Sequence, residues 1–363
     1  MLKAILIDCI PLDADKDYAE FRMDEAESLI STYGGIVLVR ALQRKMLPNY
    51  RTYVGTGKLD ELVMDALSLG ANILIINNEL KPQQIYNVSE IVRKSTKNLQ
   101  VWDRIDLILK IFQKHAQTKE AKLEIELASI RHMGPRIFGM GMELSRQGGG
   151  IGTKGIGETN TEIMRRHLKE QERKIREELE ACKKTRKLQR ESRKRQGLAT
   201  VGIIGYTNAG KSSLLNALTK KGAYVADKLF ATLDTRVGKI YLQESNKEIL
   251  ISDTIGFIQD LPHTLIESFQ STLEETIEAD LLLHVIDIHD PKMHEKVEVV
   301  HEVLRELGVV DKPIMYVFNK IDLVKKNVII KIKKEFKSFS PCFISTFNKE
   351  GLDTLKEVIG KNI

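Results

Sequence analysis

The sequence predicts an α/β fold in three parts: a small N-terminal α/β domain, an antiparallel helical hairpin, and a C-terminal domain with a mostly parallel sheet flanked by helices. Three observations lead to this prediction. Strand-like and helix-like segments alternate in the first third of the chain, two long charged helical patterns fill the middle, and a glycine-rich loop near residue 205 separates a buried strand from a helix. We place the domain boundaries at residues 1–110, 111–196 and 197–363.

The N-terminal domain is predicted from alternating patterns. Short apolar runs rich in β-branched residues are typical of buried strands, and apolar residues three and four apart are typical of helices. The strand-like runs lie at residues 4–8, 35–39, 72–76 and, more weakly, 99–102. The helical patterns lie at residues 18–33, 59–69 and 83–93. Because strands that alternate with helices form parallel sheets, a small parallel sheet is expected here.

One segment of this domain is similar to a phosphate-binding loop. Residues 52–59 read TYVGTGKL and contain Gly-x-Gly-Lys. The segment lacks the four-residue gap between the glycines and has no Ser or Thr after Lys58, so its match to the phosphate-loop pattern is weak. We interpret it as a turn that begins the helix near Leu59.

The middle of the chain is predicted to be a helical hairpin. Apolar residues recur at helical spacing over residues 104–130, and a thin apolar stripe follows residues 162–195. A sparse apolar seam on a highly charged helix fits a two-helix hairpin better than a globular core. The glycine-rich residues 132–160 between them are predicted to form a loop. This loop is either a passive linker or a basic finger, with Arg136, Arg146 and Lys154, that follows an RNA surface.

Positive charge is concentrated in the second hairpin helix. Residues 165–195 carry fourteen Lys and Arg against six Glu, a net charge of +8, whereas the whole chain carries +6. A localised cationic stretch points to a polyanion such as RNA. The alternative is a solvated helix whose charges pair at positions i and i+4. The sequence leaves both interpretations open.

The C-terminal domain begins with the most specific motif of the chain. Residues 205–212 read GYTNAGKS, which matches G-x-x-x-x-G-K-S and lies between a strand-like run and a helical pattern. In this context backbone N–H groups cradle phosphate oxygens at a helix N-terminus. Lys211 is expected to reach the β- and γ-phosphates, and the Ser212 hydroxyl to bind Mg²⁺. The candidate loop residues are Gly205, Tyr206, Thr207, Asn208, Ala209, Gly210, Lys211, Ser212 and Ser213.

Two further segments follow in the order that a nucleotide-dependent switch requires. In FATLD the Thr232 hydroxyl is expected to bind Mg²⁺, and in DTIG, after a predicted strand, Asp253 is expected to hold Mg²⁺ through water. The N–H of Gly256 would contact the γ-phosphate, so Lys211, Thr232 and Gly256 are the candidate catalytic residues. The candidate residues of the two segments are Phe230, Ala231, Thr232, Leu233, Asp234, Asp253, Thr254, Ile255 and Gly256.

The segment NKID is expected to select the base. The Asp322 carboxylate would accept both N–H donors of guanine, a pair that adenine does not offer. Asn319 would brace the loop, and the aliphatic stem of Lys320 would lie over the base. A later Ser-Thr pair would donate backbone N–H groups to the guanine oxygen. The candidate base-binding residues are Asn319, Lys320, Ile321, Asp322, Ser345 and Thr346. The motifs together predict a P-loop GTPase domain that binds GTP or GDP with Mg²⁺.

A hydrophobic residue follows the DTIG segment. Many small GTPases have a glutamine at this position, and it orients the attacking water. The residue here is Phe257, whose side chain neither donates nor accepts a hydrogen bond. Another group must therefore orient the water, and we predict slow intrinsic hydrolysis that a partner stimulates.

Composition argues against insertion into a membrane. No apolar run reaches the length of a membrane span, and the first residues run directly into a strand-like segment. Cys9, Cys182 and Cys342 lack the paired spacing of a metal site or a disulfide framework, which fits a reducing cytoplasm. We expect a monomeric cytoplasmic protein, a fraction of which is peripheral to a membrane.

The motifs together resemble the HflX family of ribosome-associated, translation-factor-related P-loop GTPases. The resemblance rests on GYTNAGKS, FATLD, DTIG followed by Phe257, and NKID. It extends upstream through VGTGKL at residues 54–59, DR at 103–104, EAKLEIELA at 120–128 and QGGGIG at 147–152. It implies a GTPase that binds the large ribosomal subunit and its RNA in a nucleotide-dependent way and dissociates or rescues ribosomes. It also implies that the N-terminal domain and the hairpin contact ribosomal RNA.

Two other classes of protein are compared with this interpretation. The first is an RNA-binding, ribosome-assembly or RNA-remodelling factor whose GTPase domain is regulatory. Binding to the large subunit in the presence of a GTP analogue and of GDP separates it from a switch. The second, a small-molecule kinase, shares the phosphate loop but does not explain NKID.

Overall fold

The computed structural model describes most of the chain as two compact units. The described residues are 1–147, 156–219, 229–230, 236–243, 246–260, 262, 265, 273–274, 277–309 and 312–363, without the side chains of 137–147, 156–161 and 194. The first unit contains Met1–Lys114 and Lys122–Glu180, and the second contains His115–Ala121 and Ala181–Ile363. The division into three domains stays a prediction. Among the described residues no helix combines the length and the apolar character needed to cross a bilayer.

The first unit contains the predicted parallel sheet. Its order is β2-β1-β3-β4, and each neighbouring pair is parallel. The elements are β1 Leu2–Ile10, α1 Lys16–Tyr33, β2 Gly35–Arg44, α2 Thr56–Leu69, β3 Ile73–Ile76, α3 Pro82–Ser95, β4 Gln100–Asp103 and α4 Arg104–His115. Gly55 precedes α2 as its N-cap residue, so residues 52–59 begin a helix, as predicted.

Strand β1 lies in the middle of the sheet because its residues are apolar on both faces. Ile5 and Ile7 are fully buried and belong to one core cluster with Leu59 and Leu62 of α2. A strand buried on both faces gives a nearly continuous apolar run, which is the pattern that the sequence shows here.

The long helical pattern after β4 is divided between two helices. The sequence predicted helix over residues 104–130, whereas α4 ends at His115 and α5 spans Lys119–Gln147. The hydroxyl of Thr118 accepts a hydrogen bond from the N–H of Ala121 at 3.2 Å. A threonine that caps a new helix in this way competes with continuation of the preceding one.

Helix α5 and the following helix, α6 (Ile156–Arg195), pack antiparallel, as the sequence predicted. Leu123 and Leu127 form a small apolar cluster with Ile175. One turn further along α5, Arg131 forms an ion pair with Glu172 at 3.3 Å. Later residues of α5 contact earlier residues of α6, so the two helices run antiparallel.

The predicted glycine-rich loop over residues 132–160 is too long. Helix α5 continues through Pro135 to Gln147, and α6 begins at Ile156. Residues 148–155, which include Lys154, lie outside the described part of the chain, as does the side chain of Arg146. A proline inside a helix costs about 3 kcal/mol. Ion pairs from Arg136, the next residue, to Asp103 at 2.5 Å and Asp106 at 2.7 Å help to offset this cost.

The second unit has a six-stranded sheet of order β10-β9-β8-β5-β7-β6. Pairing is parallel except between β6 and β7, which confirms the predicted mostly parallel sheet flanked by helices. The elements are β5 Ala199–Ile204, α7 Lys211–Thr219, β6 Arg236–Leu242, β7 Lys247–Asp253, β8 Leu281–Asp287, α8 Met293–Glu306, β9 Ile314–Asn319, α9 Lys326–Glu335, β10 Cys342–Phe343 and α10 Leu352–Asn362.

Candidate nucleotide-binding site

The predicted motifs meet at one edge of the second sheet. The GYTNAGKS loop follows β5, the DTIG segment begins at the last residue of β7, and the NKID segment begins at the last residue of β9. These strands, with β8 and β10, are neighbours in the sheet and run parallel. The carboxyl ends of parallel strands form the common ligand site of open α/β sheets.

Two glycines give the phosphate loop its shape. Gly205 has a φ of 148°, and a Cβ atom there would lie 2.3 Å from the carbonyl oxygen of Val285. Gly210 has a φ of 95°, and a Cβ atom there would lie 2.2 Å from Nδ2 of Asn319. Any side chain at either position would clash, so the loop can adopt this conformation only with glycine.

Lys211, the first residue of α7, is buried beneath this loop. Its ammonium group donates a hydrogen bond to the carbonyl oxygen of Tyr206 at 2.8 Å. Burial lowers the pKa of Lys211 to about 8, although the nearby Asp253 carboxylate raises it in part. A buried ammonium group at the N-terminus of a helix is placed to contact an anionic ligand such as a triphosphate.

Ser212 and Asp253 form the candidate magnesium site. The Ser212 hydroxyl donates a hydrogen bond to Oδ2 of Asp253 at 2.6 Å, and Asp253 is fully buried. A hydroxyl and a carboxylate are the hard oxygen ligands that Mg²⁺ prefers, so these residues fit the ion. The other predicted segment, FATLD, is described only at Phe230, which is buried and has a φ of 55°. Its remaining candidates, Ala231, Thr232, Leu233 and Asp234, lie outside the described residues.

Phe257 joins the DTIG segment to the phosphate loop through its backbone. The N–H of Thr207 donates to the carbonyl oxygen of Phe257 at 2.8 Å, and the N–H of Phe257 donates to that of Gly205 at 3.2 Å. Its side chain is 1% exposed. Phe257 therefore holds two loops together, and its ring belongs to the core.

Gly256 lies against the phosphate loop and Lys211. A Cβ atom at Gly256 would lie 2.8 Å from Nζ of Lys211 and 2.8 Å from Cγ2 of Thr207. The two preceding candidates, Thr254 and Ile255, are buried, and the Thr254 hydroxyl donates to the carbonyl oxygen of Ile203 at 2.7 Å. The backbone of Gly256 is thus within reach of any phosphate that Lys211 contacts.

Asn319 links the phosphate loop to the base-binding loops. Its Nδ2 donates to the carbonyl oxygen of Ala209 at 3.0 Å, and its Oδ1 accepts from the N–H of Thr346 at 3.1 Å. Asn319 is fully buried, so both polar atoms need these partners. These two contacts fit the bracing role expected of Asn319, which stays a prediction.

The NKID segment continues in a 3₁₀ turn, Ile321–Leu323. Lys320 has a φ of 65°, and its Nζ forms an ion pair with Oδ2 of Asp287 at 2.6 Å. Asp322 is exposed and accepts a hydrogen bond from the Ser345 hydroxyl. The carboxylate of Asp322 is therefore open to a ligand and oriented by Ser345.

The backbone N–H groups of Ser345 and Thr346 already have acceptors within the protein. Both backbone N–H groups donate within the protein: that of Ser345 to the carbonyl oxygen of Glu350 at 3.0 Å, and that of Thr346 to Asn319. Contacts from these groups to a guanine oxygen would compete with existing hydrogen bonds. What the structure shows for Ser345 is a contact from its side chain to Asp322.

Sequence reasoning missed one residue that orients the site, Asp287, and one contact made by the candidate residue Tyr206. Asp287, at the end of β8, anchors Lys320. The hydroxyl of Tyr206 accepts a hydrogen bond from the N–H of Gln259 at 2.8 Å and so fixes the chain beyond Phe257. Asp287, like Asp253, is the last residue of a buried strand. This position in the sequence could have identified Asp287 as a site residue.

The fold and the site define a P-loop protein that binds guanine nucleotides and hydrolyses GTP. Residues 200–320 match the family described as "50S ribosome-binding GTPase". Residues 20–113 match "GTP-binding GTPase N-terminal", and residues 115–193 match "GTP-binding GTPase Middle Region".

Relatives of known family match nearly the whole chain. GTPase HflX of Caldanaerobacter subterraneus is 44% identical over 361 residues, which are 99% of this chain and 80% of that protein. GTPase HflX of Escherichia coli K12 is 40% identical over 86% of this chain and 71% of its own. The crystal structure of SsGBP with GDP has 29% identity and a TM-score of 0.52, and the match covers 99% of this chain and 98% of that one. The chain belongs to the HflX family of GTPases.

Proposed function

We propose that this chain is a GTP-controlled switch that binds the large ribosomal subunit and its RNA and dissociates or rescues ribosomes. The contact between the DTIG segment and the phosphate loop carries the proposal. Gly256 lies against Lys211, so a γ-phosphate beside Lys211 would touch the Gly256 backbone directly. A ligand shifts a conformational equilibrium only through contacts that differ between states, and the γ-phosphate supplies such a contact.

The roles of the site residues follow from their chemistry. Lys211 would neutralise charge on the β- and γ-phosphates, and Ser212 with Asp253 would hold Mg²⁺. Bound Mg²⁺ would balance the negative charge that develops on the phosphate oxygens during hydrolysis. Asp322 would select guanine by accepting its two N–H donors. Thr232 is proposed as a second magnesium ligand on its sequence position alone.

Hydrolysis by the chain alone is proposed to be slow. The side chain of Phe257 is buried and has no polar atom, so it cannot orient water. A partner that supplies or arranges the missing polar group would accelerate the reaction. Single-turnover hydrolysis measured with and without ribosomes tests this, and a fast rate that ribosomes leave unchanged would refute it.

The ribosome is proposed as that partner on two grounds. The family that residues 200–320 match is described as a "50S ribosome-binding GTPase", which supports the large subunit as the partner. The net charge of +8 over residues 165–195 supports contact with RNA. We place the protein in the cytoplasm because its three cysteines are free, as in a reducing compartment. The monomeric state and the membrane-peripheral fraction stay predictions.

A second candidate function is an RNA-binding or RNA-remodelling factor whose GTPase domain is regulatory. The charge on α6 favours it, because a cationic helix binds RNA without any nucleotide. Sedimentation of the protein with purified large subunits, in a GTP analogue that resists hydrolysis or in GDP, separates the two functions.

If the protein is a GTP-controlled switch, more of it should sediment with the large subunits in the analogue than in GDP. Equal amounts with both nucleotides would replace the switch by the second candidate, and none with either would refute a ribosomal partner. Asp322→Asn should lose the response to the analogue, whereas Asp353→Asn, at an exposed carboxylate paired with Lys356, should keep it.

A further inference from the structure

An exposed apolar turn follows strand β2 in the first unit. We call residues 45–53 the 45–53 turn. Met46, Leu47 and Tyr50 are 83%, 81% and 84% exposed, whereas Thr52 is buried. Three large apolar side chains that contact water in one turn contribute nothing to the core of the unit.

The backbone of this turn is nevertheless held firmly. Asn49 and Tyr53 exchange two backbone hydrogen bonds of 2.7 Å, and the Asn49 side chain accepts from the N–H groups of Arg51 at 2.9 Å and Thr52 at 3.2 Å.

Side chains of α3 donate hydrogen bonds to the backbone of the same turn. Gln84 donates to the carbonyl oxygens of Asn49 and Tyr50 at 3.2 and 3.3 Å, and Asn87 donates to that of Arg51 at 2.8 Å. A turn with this many hydrogen bonds is preorganised, so little conformational entropy is lost when its tip binds a partner.

The turn and its flanking residues in the sequence carry positive charge. Between Glu27 and Asp60 the chain has no acidic residue and five basic ones, which are Arg40, Arg44, Lys45, Arg51 and Lys58. Arg40 and Lys58 pair with carboxylates, and Arg44 donates to two carbonyl oxygens. Lys45 and Arg51, on either side of Tyr50, make no ion pair with any residue that the structure describes.

We propose that the 45–53 turn is an RNA-binding site that stacks Tyr50 on an unpaired base while Lys45 and Arg51 contact the flanking phosphates. An exposed aromatic ring between two cations, without an acidic residue nearby in sequence, has the chemistry of single-stranded RNA recognition. Met46 and Leu47 can contact the faces of neighbouring bases, as apolar side chains do when they insert between base steps. The proposal deepens the proposed function, since it names a looped or single-stranded RNA as the ligand of this surface.

Stacking is tested by binding of the full chain to a labelled single strand of about 12 nucleotides and to a duplex of equal length. Fluorescence polarisation in the absence of nucleotide and ribosomes gives both affinities. Tyr50→Ala should weaken binding to the single strand about tenfold and leave the duplex unchanged. Tyr50→Phe should bind like the unaltered protein because it keeps the ring. Tyr241→Ala, at another exposed tyrosine, is the matched control and should have no effect.

The phosphate contacts are tested by the dependence of affinity on salt. For single strands the slope of log K against log salt changes by about 0.7 for each phosphate contact. Lys45→Gln with Arg51→Gln should reduce the slope by about 1.4, whereas Tyr50→Ala should leave it unchanged. Lys326→Gln with Lys333→Gln removes two exposed lysines of α9 as a control. An equal reduction in the control would mean general electrostatic attraction and would overturn the site.

The remaining outcomes also decide. The proposal fails if the unaltered protein does not bind the single strand, if Tyr50→Ala binds it normally, or if it loses the duplex equally. Normal RNA binding by Tyr50→Ala together with weaker sedimentation with large subunits would identify a protein as the partner of the turn. Conversely, a Tyr50-dependent RNA affinity without any sedimentation would support the site while refuting the ribosomal partner of the proposed function.

Discussion

The hydroxyl of Ser345 donates a hydrogen bond to Oδ1 of Asp322 and so fixes the carboxylate that is proposed to recognise guanine. Ser345 is fully buried, and its oxygen also accepts from the N–H of Asn348 at 3.0 Å. Asp322 itself is exposed. A side chain that is anchored at one carboxylate oxygen loses less freedom when the other binds a ligand, so Ser345 preorganises base recognition.

Ser345→Ala is expected to weaken GDP binding about tenfold. A hydrogen bond to a charged group contributes about 1.5–3 kcal/mol, and part of that would be lost as Asp322 became free to rotate. Isothermal titration calorimetry with GDP measures the change. Ser338→Ala, at an exposed serine, serves as the control. An unchanged affinity in Ser345→Ala would show that Asp322 needs no support from Ser345.

Gly256→Ala is expected to weaken binding of a GTP analogue more than binding of GDP. The new methyl group would lie 2.8 Å from Nζ of Lys211, in the region proposed for the γ-phosphate. Affinity for a GTP analogue should fall at least tenfold, whereas GDP, which has no γ-phosphate, should bind within about threefold of normal. Gly57→Ala is a matched control because a Cβ atom there would contact nothing within 4 Å. Equal losses for both nucleotides would place Gly256 away from the γ-phosphate.

The pKa of Lys211 predicts how GTP affinity depends on pH. Burial, partly offset by Asp253, lowers this pKa to about 8, and only the protonated ammonium group attracts phosphate. Binding above pH 8 therefore requires uptake of a proton, and affinity falls as pH rises. Between pH 7 and 8.8 the expected loss is roughly sevenfold. Calorimetry in buffers of different ionisation enthalpy detects the proton, and Lys211→Gln should show neither the uptake nor the pH dependence.

Much of the site could be predicted because it is encoded locally. The phosphate loop, DTIG and NKID each follow a short apolar strand directly, so pattern and position are read from adjacent residues. Gly205 and Gly210 are required by backbone geometry, which any sequence with this loop must satisfy. Parallel pairing then brings the strand ends together without further information from the sequence.

The remaining features depend on contacts between distant residues. The continuation of α5 through Pro135 depends on Arg136 and its partners Asp103 and Asp106, about thirty positions away. The contact of Ser345 with Asp322 likewise exists only after β9 and β10 pair. Local propensity disfavours a helix through Pro135 and does not predict the contact of Ser345 with Asp322. Both features therefore depend on tertiary packing.

The middle of α5 is held to the end of β4 and the start of α4 by a largely buried cluster of His132, Arg136, Asp103 and Asp106. Nε2 of His132 lies 3.3 Å from Asp103 and 3.4 Å from Asp106. Burial and the charge of Arg136, whose Nη2 lies 2.6 Å from Nε2 of His132, act to lower the pKa of His132, but hydrogen bonds to the two carboxylates outweigh both and raise the pKa to about 9. The pKa of Asp106 is lowered to about 2, because hydrogen bonds and charge from His132 and Arg136 outweigh its burial.

A protonated His132 therefore stabilises the first unit, and this stability should depend on pH. Because its pKa is raised from 6.5 to about 9 on folding, the contribution is complete below pH 6.5 and is lost as pH rises through 9. The shift corresponds to at most about 3 kcal/mol. Urea unfolding followed by Trp102 fluorescence at pH 6 and pH 9.5 measures the loss, and His132→Gln should lose correspondingly less over the same interval. A histidine resonance of the folded protein that titrates near pH 6.5 and disappears in His132→Gln would contradict the argument, because His132 would then gain no protonation energy from the two aspartates.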